Sequence, residues 1–183
     1  MRRMKQLIIS ILLFGSSAYA VNTEFSDTSI FNIQSKWRNQ KGDEIQLKSL
    51  SGKPSFMAMV YLGCKQSCPL LTKKLRDVEE KLGSKRAKDF HFVMVSFDPK
   101  RDTPEALNKY FIKSKLNANW ILLTAPDSSV RELAAVLGVN YKEDSSGEFS
   151  HSNIITYLDE KGEIKTQIKN LNEDLDRLVN AAK

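Results

Sequence analysis

The chain is poor in cysteine and histidine, with two of each among its 183 residues. A structural zinc site takes four protein ligands, and the sequence offers no second cysteine pair to complete one. The chain also lacks internal repeats, low-complexity segments and any cluster of basic residues interleaved with aromatic ones. Nucleic-acid binding therefore has no support in the sequence.

Long apolar runs are also lacking, and the run at the N-terminus, Leu7–Phe14, gives way to Gly15, Ser16 and Ser17. A membrane-spanning helix needs about 20 consecutive apolar residues. Basic residues precede the run and Ala18-Tyr19-Ala20 follows it, which is the pattern of a secretory signal with its cleavage site. We therefore predict that residues 1–20 are a cleaved signal peptide and that the mature protein is exported, without a stable membrane span. An uncleaved signal would leave it anchored to the membrane.

Without residues 1–20 the chain keeps 25 basic and 22 acidic residues, so its net charge falls from +6 to +3. We expect residues 21–29 to form a flexible lead and residues 30–183 to form one domain, which is long enough to bury a core without the help of a disulfide. Export exposes the two cysteine thiols to an oxidising compartment, where they tend to pair.

The mature chain alternates between segments typical of buried strands and segments typical of amphipathic helices. A strand pair, Ile30–Trp37 with Glu44–Leu47, surrounds a turn that contains Gly42. Further strands are predicted at 56–62, 90–97, 120–124, 154–158 and 163–168, with a polar loop at 142–150. Helices are predicted from Cys68 to about Leu82, after the N-caps Thr103 and Asp127, and from Leu171 to Val179. This order predicts an α/β fold, in which a mixed central β-sheet carries helices on both faces and begins with an N-terminal β-hairpin.

Both cysteines, Cys64 and Cys68, lie where the apolar strand 56–62 gives way to a helix with Pro69 in its first turn. Two thiols at this spacing can bind a soft metal ion or close a disulfide. A disulfide across so short a loop stabilises a fold by only about 2 kcal/mol in the chain-entropy model. The positive end of the helix is expected to favour the thiolate of Cys68.

Three motifs in the chain resemble those of the Sco/SenC family, and the resemblance runs from about Ile30 to Ile168. They are Tyr61-x-x-Cys64-x-x-x-Cys68-Pro69, the stretch from Val95 to Pro104 that includes Asp98, and His151-Ser152 followed by Tyr157-Leu158-Asp159. The resemblance implies a thioredoxin-like fold and a copper carrier that helps to assemble cytochrome c oxidase. It also implies that Cys64, Cys68 and His151 are copper ligands and that Asp98 has a supporting role.

The sequence departs from the family pattern between the two cysteines. Lys65-Gln66-Ser67 stand where the family commonly has a proline and an acidic residue. All three expected ligands are retained, but the loop becomes more cationic. We therefore expect the change to affect copper affinity and the choice of partner more than the identity of the ligands.

From this resemblance we expect a periplasmic copper-binding chaperone that delivers Cu(I) or Cu(II) to a cuproprotein, an oxidase subunit by implication. Its other partners would be an upstream copper donor and a thiol reductant. The alternative is enzymatic, a thiol:disulfide oxidoreductase in which Cys64 and Cys68 are redox-active and reduce the copper-ligand cysteines of the target. In that alternative His151 would be dispensable.

Overall fold

The computed structural model describes residues 25–64 and 67–183. The predicted signal peptide therefore lies outside the described residues, as does the start of the predicted lead. The described part of the chain contains nine strands and four α-helices. The strands are β1 (Lys36–Asn39), β2 (Glu44–Gln46), β3 (Ser55–Val60), β4 (His91–Ser96), β5 (Trp120–Thr124), β6 (Tyr141–Glu143), β7 (Phe149–His151), β8 (Ile155–Leu158) and β9 (Ile164–Ile168). The helices are α1 (Ser67–Arg86), interrupted at Gly83, α2 (Pro104–Lys113), α3 (Asp127–Leu137) and α4 (Asp176–Ala181).

Seven of the strands form one mixed sheet in the order β2-β1-β5-β4-β3-β8-β9. The three central strands β3, β4 and β5 run parallel, and the flanking pairs are antiparallel. Parallel neighbours need crossover connections, and α1 and α2 provide them. Strands β1 and β2 form the expected N-terminal hairpin, so the predicted mixed α/β architecture is confirmed.

Helices cover both faces of this sheet. On one face, aromatic rings at paired positions of four strands stack in a row: Tyr157, Phe56, Phe92 and Trp120. The indole of Trp120 donates a hydrogen bond to Glu79 of α1, which places α1 over this face. On the other face, Gln167 bonds both to the Thr156 hydroxyl and to the last carbonyl of α3, which places α3 there.

Local structure differs from the sequence expectations at four places. The last helix begins at Asp176, whereas it was predicted from Leu171. Residues Ile30–Asn32 form a 3-10 turn rather than the start of a strand. Asp127 is the first residue of α3, and Pro126 occupies the cap position without a side-chain hydrogen bond. The segment 142–150, expected to be a polar loop, contributes to the separate two-stranded hairpin of β6 and β7. Each hairpin strand has only three residues, too few for an alternating pattern to be recognised.

Within the described residues, no helix has both the length and the apolar character that crossing a bilayer requires.

Candidate metal centre

The two cysteines lie beyond the carboxyl end of the central strand β3, where sites form in open α/β sheets. The backbone N–H of Tyr61 donates to the sulfur of Cys68 at 3.4 Å. The backbone N–H of Cys68 in turn donates to the sulfur of Cys64 at 3.3 Å. Both residues carry thiols in the structure. Each sulfur thus accepts an N–H dipole, which stabilises negative charge on it.

His151, the last residue of β7, lies against the cysteines although 83 positions separate it from Cys68. Its Nε2 is 3.8 Å from the Cys68 sulfur, and its Nδ1 is 3.0 Å from the carbonyl oxygen of Ser152. A carbonyl only accepts hydrogen bonds, so Nδ1 carries the proton of the neutral ring. The lone pair of Nε2 is therefore available on the side of the ring that faces Cys68.

Cys64, Cys68 and His151 form a cluster in which all the ligand atoms lie within 4.8 Å of one another. Two sulfurs and one imidazole nitrogen are a soft donor set, which suits Cu(I) and is also compatible with Cu(II). Two thiolates with Cu(I) give a net charge of −1, whereas Cu(II) gives a neutral site. The donor set therefore fits copper in either oxidation state.

Burial controls the protonation of Cys68, which is 5% exposed. Desolvation raises the pKa of this thiol well above its ordinary value, and the neighbouring sulfur of Cys64 adds to the increase. The hydrogen bond from the Tyr61 N–H opposes the shift but is weaker. In the metal-free protein burial therefore favours the neutral thiol of Cys68, whereas the helix end was expected to favour its thiolate. A metal ion must displace the proton.

Asp98, expected to have a supporting role, is buried and forms an ion pair with Arg101. Its own backbone N–H donates to the hydroxyl of Ser96 at 3.0 Å. The carboxylate of Asp98 is not part of the cysteine and histidine cluster. Its contacts place it at the carboxyl end of β4, on the side towards the β6–β7 hairpin.

Asp102 also contributes to the site, and the sequence reasoning missed it. Its buried carboxylate accepts hydrogen bonds from the Leu62 N–H at 2.9 Å and from the Ser96 hydroxyl at 2.6 Å. It thereby ties the start of the cysteine loop to the end of β4. Desolvation raises the pKa of Asp102, and these two hydrogen bonds oppose the shift. The only signal in the sequence was its position four residues after Asp98 in a quoted motif.

Aromatic side chains form the wall behind His151. The ring of Phe97 lies 5.0 Å from the imidazole between centroids, and the ring of Tyr61 meets the imidazole edge-on at 6.2 Å. The Tyr61 hydroxyl donates to Glu148 of the same hairpin at 2.5 Å. Lys65 and Gln66, where the sequence departs from the family pattern, lie outside the described residues.

Comparisons with known proteins agree with this architecture. The SCO1/SenC family model matches residues 26–183. A SCO1 protein homolog of Bacillus subtilis is 30% identical over 100 residues, which are 54% of this chain and 51% of that protein. The chain thus spans about half the length of this relative.

Two solved structures show the same fold. ScoI of Bradyrhizobium japonicum, solved with copper bound, has a TM-score of 0.67 at 23% identity and covers 80% of this chain and 93% of its own. BsSco is described as a member of the Sco family of cytochrome c oxidase assembly proteins, with a disulfide switch. It has a TM-score of 0.69 at 23% identity, and the match covers 79% of this chain and 86% of BsSco. At these identities the two structures establish the fold alone.

Proposed function

The chain belongs to the SCO1/SenC family, and we propose that it is a periplasmic copper chaperone. In this proposal Cys64, Cys68 and His151 hold the copper, which is cargo rather than a permanent cofactor. The chaperone receives copper from an upstream donor and passes it to a cuproprotein, a subunit of cytochrome c oxidase. The copper bound to B. japonicum ScoI supports copper binding, and the description of BsSco as an oxidase assembly protein supports a role in oxidase assembly.

The main support for the proposal is that two thiol sulfurs and one imidazole nitrogen lie close together. A histidine brought by a separate hairpin within 3.8 Å of a buried thiol is not needed for a simple disulfide. It completes a three-coordinate site, the arrangement that a two-sulfur, one-nitrogen donor set can offer to copper.

The exposure of the ligands suits transfer. Cys64 and His151 are partly exposed, whereas Cys68 is buried. Ligands of a receiving protein can therefore approach from the side of Cys64 and His151 and replace those two first. Cys68 is released last, without any opening of the core.

A competition titration of reduced protein against a Cu(I) chelator tests copper binding. We expect Cys64→Ser and Cys68→Ser to lose most of the affinity, because each removes a thiolate, the ligand that Cu(I) prefers. His151→Ala should lose a smaller share, because it removes a neutral imidazole and leaves both thiolates in place. His91→Ala is the matched control, because His91 is the second histidine and begins β4 at the opposite end of the strand from the site. Wild-type affinity equal to that of the cysteine variants would contradict copper binding.

A second function, thiol:disulfide exchange, is favoured by the hydrogen bond that holds Cys68 against the sulfur of Cys64. In this reaction the Cys64 thiolate attacks a disulfide of the target and forms a mixed disulfide. Cys68 then displaces the target's second thiol, so the target leaves as a dithiol and Cys64–Cys68 becomes a disulfide. A thiol reductant must restore the starting state. Turnover on a disulfide substrate that is unaffected by His151→Ala would favour this function over copper transfer.

A further inference from the structure

The hairpin of β6 and β7 determines where His151 lies, because His151 is its last residue. Among residues 25–64 and 67–183, the two strands pair only with each other and form no ladder with the main sheet. The cysteines, by contrast, are fixed to the central strand β3 and to α1. The distance between the histidine and the cysteines therefore depends on residues 152–154, which lead from the hairpin into β8, and on the side-chain contacts that hold the hairpin against the end of the main sheet.

Arg101 reaches the hairpin from the loop between β4 and α2. One of its terminal nitrogens, Nη2, donates to the carbonyl oxygen of Gly147 at 2.7 Å and lies 3.7 Å from the carboxylate of Glu143. Its guanidinium carbon lies 5.4 Å from the centroid of the Phe149 ring and 6.0 Å from that of Tyr61. A single guanidinium thus contacts both hairpin strands and the turn between them.

Asp98 anchors the other side of this guanidinium. Its buried carboxylate accepts the Nε–H of Arg101, so the side chain is held at both ends. A planar guanidinium offers several donors in fixed directions, whereas a lysine offers a single charged point. A lysine at this position would not bond Asp98 and Gly147 in the same way.

A continuous series of hydrogen bonds connects the cysteine loop to the hairpin through Arg101. The Leu62 N–H and the Ser96 hydroxyl both donate to Asp102, and the Asp98 N–H donates to Ser96. Asp98 then pairs with Arg101, which donates to the hairpin turn at Gly147. The series links the segment that carries Cys64 to the segment that carries His151.

Gly147 has the backbone conformation and the space that the hydrogen bond from Arg101 requires. Its φ is +84°, and a Cβ there would lie 3.3 Å from Nη1 of Arg101. Any other residue at position 147 would be strained and would crowd the guanidinium. The absence of a side chain allows Arg101 to lie against the backbone of the turn.

We propose that Arg101 is a positioning residue for the metal centre, which fastens the β6–β7 hairpin so that His151 is held beside Cys68 before copper arrives. The test of this inference by Cu(I) affinity rests on the proposed function, because it requires that the protein binds copper. Removing a group that hydrogen-bonds directly to a metal ligand typically costs 10- to 100-fold in metal affinity, and Arg101 acts on His151 only through the hairpin, which points to the lower end of this range. Since other hairpin contacts remain, including the bond from Tyr61 to Glu148, we expect a loss of about tenfold.

A double-mutant cycle of Cu(I) affinity tests the proposal. Arg101→Ala should lower the affinity about tenfold in the wild-type background and leave it unchanged in the His151→Ala background, because Arg101 acts through His151. Arg101→Lys should recover only part of the loss. Equal losses in the two backgrounds, or no loss in the wild-type background, would overturn the proposal.

Arg131→Ala is the matched control, since Arg131 also pairs with a carboxylate, that of Asp127, and lies 5.3 Å from a hairpin ring, that of Tyr141. It has no hydrogen bond to the hairpin backbone among the described residues, so its removal should leave the affinity unchanged. A loss as large as that of Arg101→Ala would overturn the proposal. It would show that disturbing the ring of Tyr141, which stacks on Phe97, is enough to weaken copper binding.

A measurement on the metal-free protein separates this inference from the copper proposal. Nuclear Overhauser effects between the rings of His151 and Phe97, whose centroids are 5.0 Å apart, should weaken in Arg101→Ala and persist in Arg131→Ala. If the wild-type protein failed to bind Cu(I), the copper proposal would fall and this comparison would still decide the role of Arg101. Unchanged nuclear Overhauser effects in Arg101→Ala would overturn the positioning role of Arg101.

Discussion

At the scale of single residues, the two histidines show how surroundings assign different roles to one side chain. His151 presents Nε2 to a buried sulfur and donates a hydrogen bond from its Nδ1–H to a carbonyl, the arrangement typical of a metal ligand. His91 begins β4 and is partly buried away from these groups. Desolvation, with a smaller contribution from the charge of Lys53, lowers the pKa of His91 to about 4.

The lowered pKa of His91 predicts a pH dependence of stability. Between pH 6.5 and about 4 the unfolded chain binds a proton that the folded protein does not, so the free energy of unfolding falls as the pH falls through this range. Because part of the ring is exposed, we expect a loss of about 1–2 kcal/mol rather than the full value implied by the shift. Urea unfolding at pH 7.5 and pH 4.5 measures it.

His91→Gln is the control for this prediction, since it removes the titrating group and keeps a polar side chain. The difference in stability between variant and wild type should change between the two pH values. If the two pH profiles run parallel, His91 is not the cause.

At the scale of elements, the start of the domain is held by the turn between β8 and β9 rather than by strand pairing. The Ile30 N–H donates to the Gly162 carbonyl at 3.0 Å, and the Ser29 hydroxyl donates to the Lys161 carbonyl at 2.6 Å. The ring of Phe31 lies directly over Gly162. These contacts favour a 3-10 turn at Ile30–Asn32, where an alternating strand had been predicted.

Gly162→Ala should therefore destabilise the protein. A Cβ at this position would lie 2.8 Å from the Phe31 ring, and the φ of +75° is unfavourable for alanine. We expect a loss of about 2–4 kcal/mol, from backbone strain of about 1 kcal/mol and overpacking of about 1–3 kcal/mol. Chemical denaturation gives the value.

Gly52→Ala separates the two contributions. Gly52 has a φ of +83°, but a Cβ there would meet nothing within 4 Å. This variant should lose only the strain contribution of about 1 kcal/mol. Equal losses in the two variants would show that the contact with Phe31 contributes nothing.

At the scale of the whole molecule, the candidate metal centre joins three parts of the fold. The loop after β3 carries the cysteines, the end of β4 supports that loop through Asp102, and the hairpin supplies His151. The unfolded chain keeps the two cysteines near each other but does not bring the histidine to them. Copper should therefore bind the folded protein more tightly than the unfolded chain.

This difference predicts that Cu(I) stabilises the reduced protein against unfolding. Free Cu(I) at 1,000 times the dissociation constant would add about 4 kcal/mol if only the folded state bound it. Binding to the cysteines of the unfolded chain reduces the gain, so we expect about 2–4 kcal/mol. Denaturation at buffered Cu(I), with and without an excess of chelator, measures it. His151→Ala should gain less at the same free Cu(I), and a gain equal to that of the wild type would contradict the involvement of His151.

The sequence by itself determined the local parts of this protein. The apolar run before Cys64 and the helical pattern after Cys68 place both thiols at a strand-to-helix junction, because strand burial and helix periodicity are encoded among near neighbours. The order of strands and helices predicted the mixed sheet for the same reason. The resemblance to the Sco/SenC family, carried by three motifs, is confirmed by the family model.

Only the tertiary structure decided how distant residues meet. It converted the expected polar loop into the β6–β7 hairpin, brought His151 to Cys68 across 83 positions, and placed Asp102 and Arg101 between the two halves of the site. It also buried Cys68, and this burial raises the pKa of the thiol. Such contacts depend on how separate segments pack against one sheet. The spacing of residues along the chain does not determine which distant residues meet.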